Sequence, residues 1–136
     1  MSFSGGCACG GLRYECSVAP VASFNCHCRD CQRTSGTAFL PVMIVPADGL
    51  KLINRQAKYY AVKADSGHTT SRGFCPECGS IVFGKIAENP AFMVITAASL
   101  DDPRSYQPIA DIWTSSVQPW DYMDPALAKH LRGPTS

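Results

Sequence analysis

Cys26-His27-Cys28-Arg29-Asp30-Cys31 puts three cysteines within six residues, at the spacing C-x-C-x-x-C. Cysteines separated by one or two residues can turn both sulfurs onto one ion, so this run reads as a metal-binding loop. Two further pairs flank it along the chain, Cys7-Ala8-Cys9 and Cys75-Pro76-Glu77-Cys78. Two such pairs supply the four ligands of a closed tetrahedral site, whereas the triplet supplies only three. The arithmetic predicts two zinc ions per chain. A structural zinc falls on Cys7, Cys9, Cys75 and Cys78, and a second falls on Cys26, Cys28 and Cys31 with one position open.

The closed site would tie the N-terminus to the middle of the chain. Zn–S bonds are ~2.3 Å long, and structural zinc contributes on the order of 10 kcal/mol to folding in small zinc peptides. Pro76 and Gly79 suit a knuckle that wraps the backbone around an ion. Three protein ligands and one vacancy is the pattern of catalytic zinc, and the vacancy accepts water or a thiol that the ion deprotonates. Such a site fits thiol chemistry, which makes Cys26, Cys28 and Cys31 the candidate catalytic set.

Three alternatives stand beside this. Cys16 is the one cysteine left over and would close the triplet if it served as a fourth ligand. It also alternates with Leu12 and Tyr14, which fits a small core residue. His68 is another possible fourth ligand, while His27, between two ligands, is expected to point away from the metal they share. A dithiol redox centre is the third alternative, because C-x-x-C occurs there too.

The rest of the composition narrows the class. The 136 residues suit one domain, 1–136, and a chain of this size buries about two-thirds of its unfolded surface without staples. The cysteines therefore need their own explanation. A formal net charge of +1 with no charge runs argues against nucleic acid and anionic membranes as partners. Met1-Ser2-Phe3-Ser4 begins no secretory signal, and no apolar run approaches the ~18 residues of a membrane span. The expected setting is cytoplasmic, where clustered thiols stay reduced and bind metal.

Ten prolines, eleven glycines and short apolar runs predict short antiparallel strands joined by turns, an all-β chain. Strands are expected at residues 12–16, 22–24, 39–45, 50–53, 59–62, 69–74, 80–86, 92–97 and 112–114. Pro41 predicts an edge strand or a bulge, and 50–53 with 59–62 reads as a strand pair. One helical turn ending at Gly36 follows the triplet. Asp124-Pro125 predicts a short C-terminal helix through Leu131, with Asp as cap and Pro at the first position.

Taken together, these stretches resemble a known family. Cys7-Ala8-Cys9-Gly10-Gly11-Leu12-Arg13-Tyr14, the triplet with Gln32-Arg33-Thr34-Ser35-Gly36, and Arg72-Gly73-Phe74-Cys75-Pro76-Glu77-Cys78-Gly79-Ser80 are similar to the glutathione-dependent formaldehyde-activating enzyme (GFA) family. So are Ser99-Leu100-Asp101-Asp102-Pro103 and Ile112-Trp113-Thr114 with Pro119-Trp120. The resemblance covers nearly the whole chain in order. It implies an all-β, Mss4-like fold held by a structural zinc, and a catalytic zinc on the triplet. It also implies a carbon–sulfur lyase whose named reaction joins glutathione and formaldehyde into S-hydroxymethylglutathione. Asp111, before Ile112, departs from the resemblance, since many members of the family have histidine there. Arg29, Arg33 and Arg72 are candidates for the glutathione carboxylates, and Trp113 and Trp120 for pocket walls or core packing. The competing function is a non-enzymatic zinc module that binds a protein partner through a β surface.

Overall fold

The structure, a computed structural model, describes residues 2–134. In chain order its strands are β1 (Phe3–Gly6), β2 (Leu12–Cys16), β3 (Ala22–Cys26), β4 (Leu40–Pro46), β5 (Leu50–Asn54) and β6 (Lys58–Lys63). They continue as β7 (Thr69–Phe74), β8 (Ile81–Ile86), β9 (Phe92–Thr96), β10 (Ala110–Ile112) and β11 (Ala128–Lys129), and the α-helix, α1 (Arg29–Ser35), sits between β3 and β4. A three-stranded sheet runs β1-β2-β5; the larger sheet runs β11-β10-β3-β4-β9-β8-β7-β6. The fold is mainly β, as the short runs and frequent turn residues predict.

Alternation places each face. Leu12, Tyr14 and Cys16 of β2 are buried while Glu15 is exposed. They pack with Met43, Val45, Val82, Phe83, Ile95 and Leu100 into a core that also contains Cys7 and Cys75. The Tyr14 ring meets Phe83 edge-on at 5.5 Å. A second core of Phe24, Cys26, Cys31, Val42, Ala110 and Ile112 contains the triplet. In β4, Val42 and Met43 enter different cores, so the two cysteine groups belong to opposite faces of the large sheet.

Four features depart from the sequence expectation. β4 is a central strand, paired to β3 and β9. Pro41 is tolerated because it lies opposite Asn25 of β3, one residue outside the β9 ladder, which ends at Val42. The segments 50–53 and 59–62 do not pair with each other: β5 joins β2 and β6 joins β7. Asn54, at φ 68°, turns the chain out of the small sheet. The strands are not all antiparallel, since β10 lies parallel to both β3 and β11.

The expected C-terminal helix over 124–131 does not form. Asp124 Oδ1 does accept from the Ala126 amide at 2.9 Å, as a cap would. The turn goes no further, because Ala128 and Lys129 pair with Ala110 and Asp111 of β10. Sheet pairing and an ion pair from Lys129 to Asp111 outcompete a single helical turn, whose nucleation is costly.

Candidate metal centres

The two cysteine knuckles share one local design. Gly10 N donates to Cys7 O at 3.1 Å, and Gly79 N donates to Cys75 O at 2.8 Å. Both glycines are left-handed, at φ 79° and 77°, which closes each loop tightly after its cysteine pair. Cys7 N then donates to Leu12 O, and Cys75 N to Ser80 O, both at 3.0 Å. Ala8 N reaches across to Ser80 Oγ at 3.0 Å, joining the two loops.

This brings the sulfurs of Cys7, Cys9, Cys75 and Cys78 within 4.8 Å of one another. Cys7 and Cys9 are 3.5 Å apart, and Cys9 and Cys75 are 3.7 Å apart. A tetrahedron with ~2.3 Å bonds has edges of ~3.8 Å, so this donor set fits a zinc-sized ion. Donors already point at the sulfurs. Leu12 N donates to Cys7 at 3.2 Å, and Arg55 Nη1 donates to Cys9 and to Cys75, each at 3.2 Å. The Ser80 hydroxyl and backbone hold the Cys78 thiol down at about 5.

The triplet forms where β3 ends and α1 begins. Cys26 is the last residue of β3, Cys28 caps α1 by accepting from Cys31 N at 3.3 Å, and Cys31 lies in its first turn. Gly36, at φ 73°, ends the helix where a glycine was expected. The three sulfurs lie within 4.8 Å of one another, with Cys26 and Cys31 buried and Cys28 half-buried. Hydrogen bonds with Cys26 and Cys31 pull the Cys28 thiol far below its ordinary value, and those of Cys26 with Cys28 and Cys31 push Cys26 far above it. Crowded thiols cannot all ionise by themselves; a cation among them removes that conflict. This three-sulfur set therefore also fits a metal ion.

The residues expected around the triplet divide. Cys16 lies in the other core and donates to Val18 O at 3.3 Å. His68 is exposed near the turn between β6 and β7. Arg29 is exposed and donates to Gln32, and Arg33 is exposed. Trp113 packs against the triplet's core with Arg132 over its ring at 4.9 Å, whereas Trp120 is 69% exposed and is not a core residue. Arg72 is buried, and its Nη2 donates to Cys31 Sγ at 3.5 Å. Burial works against its charge, and Cys31, aided by Cys28 and Asp30, more than restores it.

His27 does point away from the sulfurs, into a buried charge network that spacing did not reveal. Its Nε2 lies 2.9 Å from Asp111 Oδ1 and its Nδ1 2.8 Å from Asp121 Oδ2. Asp111 Oδ2 in turn lies 2.8 Å from Lys129 Nζ. Burial would raise the Asp111 carboxyl, but Lys129 and His27 together hold it below the usual range. Gln32 adds two ties, donating to His27 O at 2.7 Å and to Ser116 O at 3.0 Å. The segment after β10 is thereby strapped across the triplet. The sequence signals are the departure at Asp111 and its place in an otherwise apolar stretch, Ile109-Ala110-Asp111-Ile112-Trp113.

A mainly β scaffold carrying one four-cysteine cluster and one three-cysteine cluster defines the class of protein. The chain matches the model of the family described as glutathione-dependent formaldehyde-activating enzyme over residues 2–116, and it belongs to that family. The family has an Mss4-like fold, and the sheets seen here are of that kind. Two fungal relatives carry the family's name. One, from Penicillium rubens, is 30% identical over 113 residues, covering 78% of this chain and 58% of the relative. The other, from Phaeosphaeria nodorum, is 29% identical over 112 residues, covering 77% and 58%. The chain thus spans less than three-fifths of the length of these relatives. A crystal structure of a Rhodobacter sphaeroides protein is similar in fold, with a TM-score of 0.61 at 18% identity, covering 79% of this chain and 98% of that one. Among the described residues no helix is long and apolar enough to cross a membrane.

Proposed function

We propose that this protein is a zinc-dependent carbon–sulfur lyase acting on an adduct of glutathione or a related small thiol. Its specific reaction would be the interconversion of glutathione and formaldehyde with S-hydroxymethylglutathione. The observation that carries this reading is the three-sulfur cluster. Cys26, Cys28 and Cys31 converge, while Cys16 and His27 are held elsewhere and His68 lies exposed between β6 and β7. The family match supplies glutathione and formaldehyde.

In this reading Cys7, Cys9, Cys75 and Cys78 hold a structural zinc, and Cys26, Cys28 and Cys31 hold a catalytic one. When bound there, zinc supplies a Lewis-acidic position that favours a thiolate over a thiol. The chain's own residues orient and shield that position. Cys26 and Cys31 are fixed in the second core, and the strap tied by His27, Asp111, Asp121 and Lys129 keeps water from the back of the loop. In the forward direction the S–H bond breaks and a new bond joins sulfur to the aldehyde carbon. The C=O π pair moves to oxygen, which takes up the proton that sulfur lost, through solvent. The reverse reaction cleaves the same C–S bond. We read residues 1–136 as a single domain working in a cytoplasmic, thiol-reducing setting, because both clusters need reduced cysteines.

The test is an NMR exchange assay with glutathione and formaldehyde, which also react unaided. Protein carrying two zincs should speed the exchange well above background, and Cys28→Ser should return it to background with one zinc kept. No acceleration by the two-zinc protein would overturn this assignment of substrates.

A further inference from the structure

Arg72 lies within β7 and is only 7% exposed. A buried guanidinium is costly unless anions or good acceptors surround it. Among the described residues its hydrogen-bond partner is a cysteine sulfur, reached by Nη2, while Nη1 is buried with no partner at all. A neutral thiol is a weak acceptor, and Asp30 acts on the guanidinium only from beyond ion-pair distance, so neither accounts for burying this charge. Three thiolates around a dication would carry one net negative charge, which would account for Nη2. Nη1 still has nothing to bind.

The other cluster provides the comparison. There Arg55 Nη1 serves two sulfurs, Cys9 and Cys75, within a set of four cysteines. Each cluster has its own guanidinium, but the triplet is short of one sulfur, and its arginine has one donor to spare. The geometry points to Arg72 as the anion-receiving residue of the triplet: Nη2 holds Cys31, and Nη1 donates to a thiolate that enters as the fourth sulfur. This inference rests on the thiol-binding reading above. It also separates Arg72 from the role of gripping a substrate carboxylate, since the charge it receives sits on sulfur. The entering thiol releases its proton to the buffer, and no oxidant or reductant is involved.

The experiment uses the protein loaded with cobalt in place of zinc, whose visible absorption changes when a sulfur ligand enters. Two thiols are titrated, glutathione and the uncharged 2-mercaptoethanol, into the wild type, Arg72→Met and Arg72→Lys. Metal content is measured alongside. Arg72→Met should keep both metals and bind both thiols about tenfold more weakly or worse, the loss of one charge-assisted hydrogen bond. Arg72→Lys, which keeps the charge, should recover most of that affinity. Weakened glutathione with unchanged 2-mercaptoethanol would overturn the inference and make Arg72 a carboxylate anchor. Unchanged affinity for both thiols would overturn it while leaving the thiol-binding function intact. No thiol binding to the wild type would sink both. Should Arg72→Met lose its second metal, a crystal structure of the wild type soaked in 2-mercaptoethanol decides. Nη1 within hydrogen-bonding distance of the new sulfur supports the inference, and Nη1 turned away from it overturns it.

Discussion

His27 Nε2 lies 2.9 Å from Asp111 Oδ1, joining residues 84 positions apart in a fully buried pair. One partner sits between two cysteines of the triplet, and the other lies on the short strand that runs parallel to β3. The contact therefore couples the three-cysteine loop to the C-terminal strap. Removing one partner strands a buried polar group, which costs more than the pair itself contributes. Asp111→Ala should cost about 3 kcal/mol in urea denaturation. Release of metal to a chelator should become faster at the triplet and stay unchanged at the four-cysteine site. Equal acceleration at both sites would mean that the pair supports the fold generally and not the loop.

The two cysteine groups should separate by mutation. Cys75→Ser removes a sulfur buried in the main core and the link between the two knuckles. It should leave the chain unfolded or aggregated. Cys28→Ser alters a half-buried cap of α1 and should leave native circular dichroism with about one metal per chain by mass spectrometry under native conditions. A folded Cys75→Ser protein with one metal would reverse the structural and catalytic assignments.

Asp101 carries a pH-dependent contribution. Arg13 holds it through two hydrogen bonds, at 2.8 and 2.6 Å, and Ser4 Oγ donates at 2.7 Å, drawing its carboxyl down to about 2. A depressed carboxyl stabilises the fold above the ordinary aspartate value, near ~3.9, and that contribution fades as pH falls towards 2. Asp101→Asn should therefore lower Tm at pH 7, and the gap between variant and wild type should narrow below pH ~4. A gap constant from pH 7 to 3 would mean that the pair does not act through its charge.

Gly11 tests the arginine at the closed cluster. A Cβ at this position would lie 2.1 Å from Arg55 Nη1, at the far end of a flexible side chain. Gly11→Ala should displace the guanidinium from Cys9 and Cys75 with little loss of fold. Metal should leave the four-cysteine site faster in a chelator competition, with far-UV circular dichroism unchanged. An unchanged rate would show that Arg55 is incidental to the cluster.

Packing gives the plainest expectation. Phe83 is buried to 1% exposure against Tyr14 in the main core. Phe83→Ala should destabilise by about 3–5 kcal/mol in denaturant titration with metals bound. A loss below about 1 kcal/mol would mean that the core collapses into the space.

The cysteine spacing by itself determined which sulfurs group together, because a knuckle is local and two knuckles add up to one tetrahedron. Alternation in residues 12–16 and the glycine after α1 were legible for the same reason: period and backbone freedom are properties of adjacent residues. What only the tertiary structure decided lies between distant segments. Asn54 sends β6 to a different sheet from β5, a backbone turn that the apolar runs on either side conceal. Asp124 caps a helix that never forms, because Lys129 finds Asp111 and β11 finds β10. His27 and Arg72 looked like a ring between ligands and a charge beside a knuckle. Burial made one the centre of a carboxylate network and turned the other onto Cys31. Charge in water has no preferred partner, and it acquires one only where the fold removes the water.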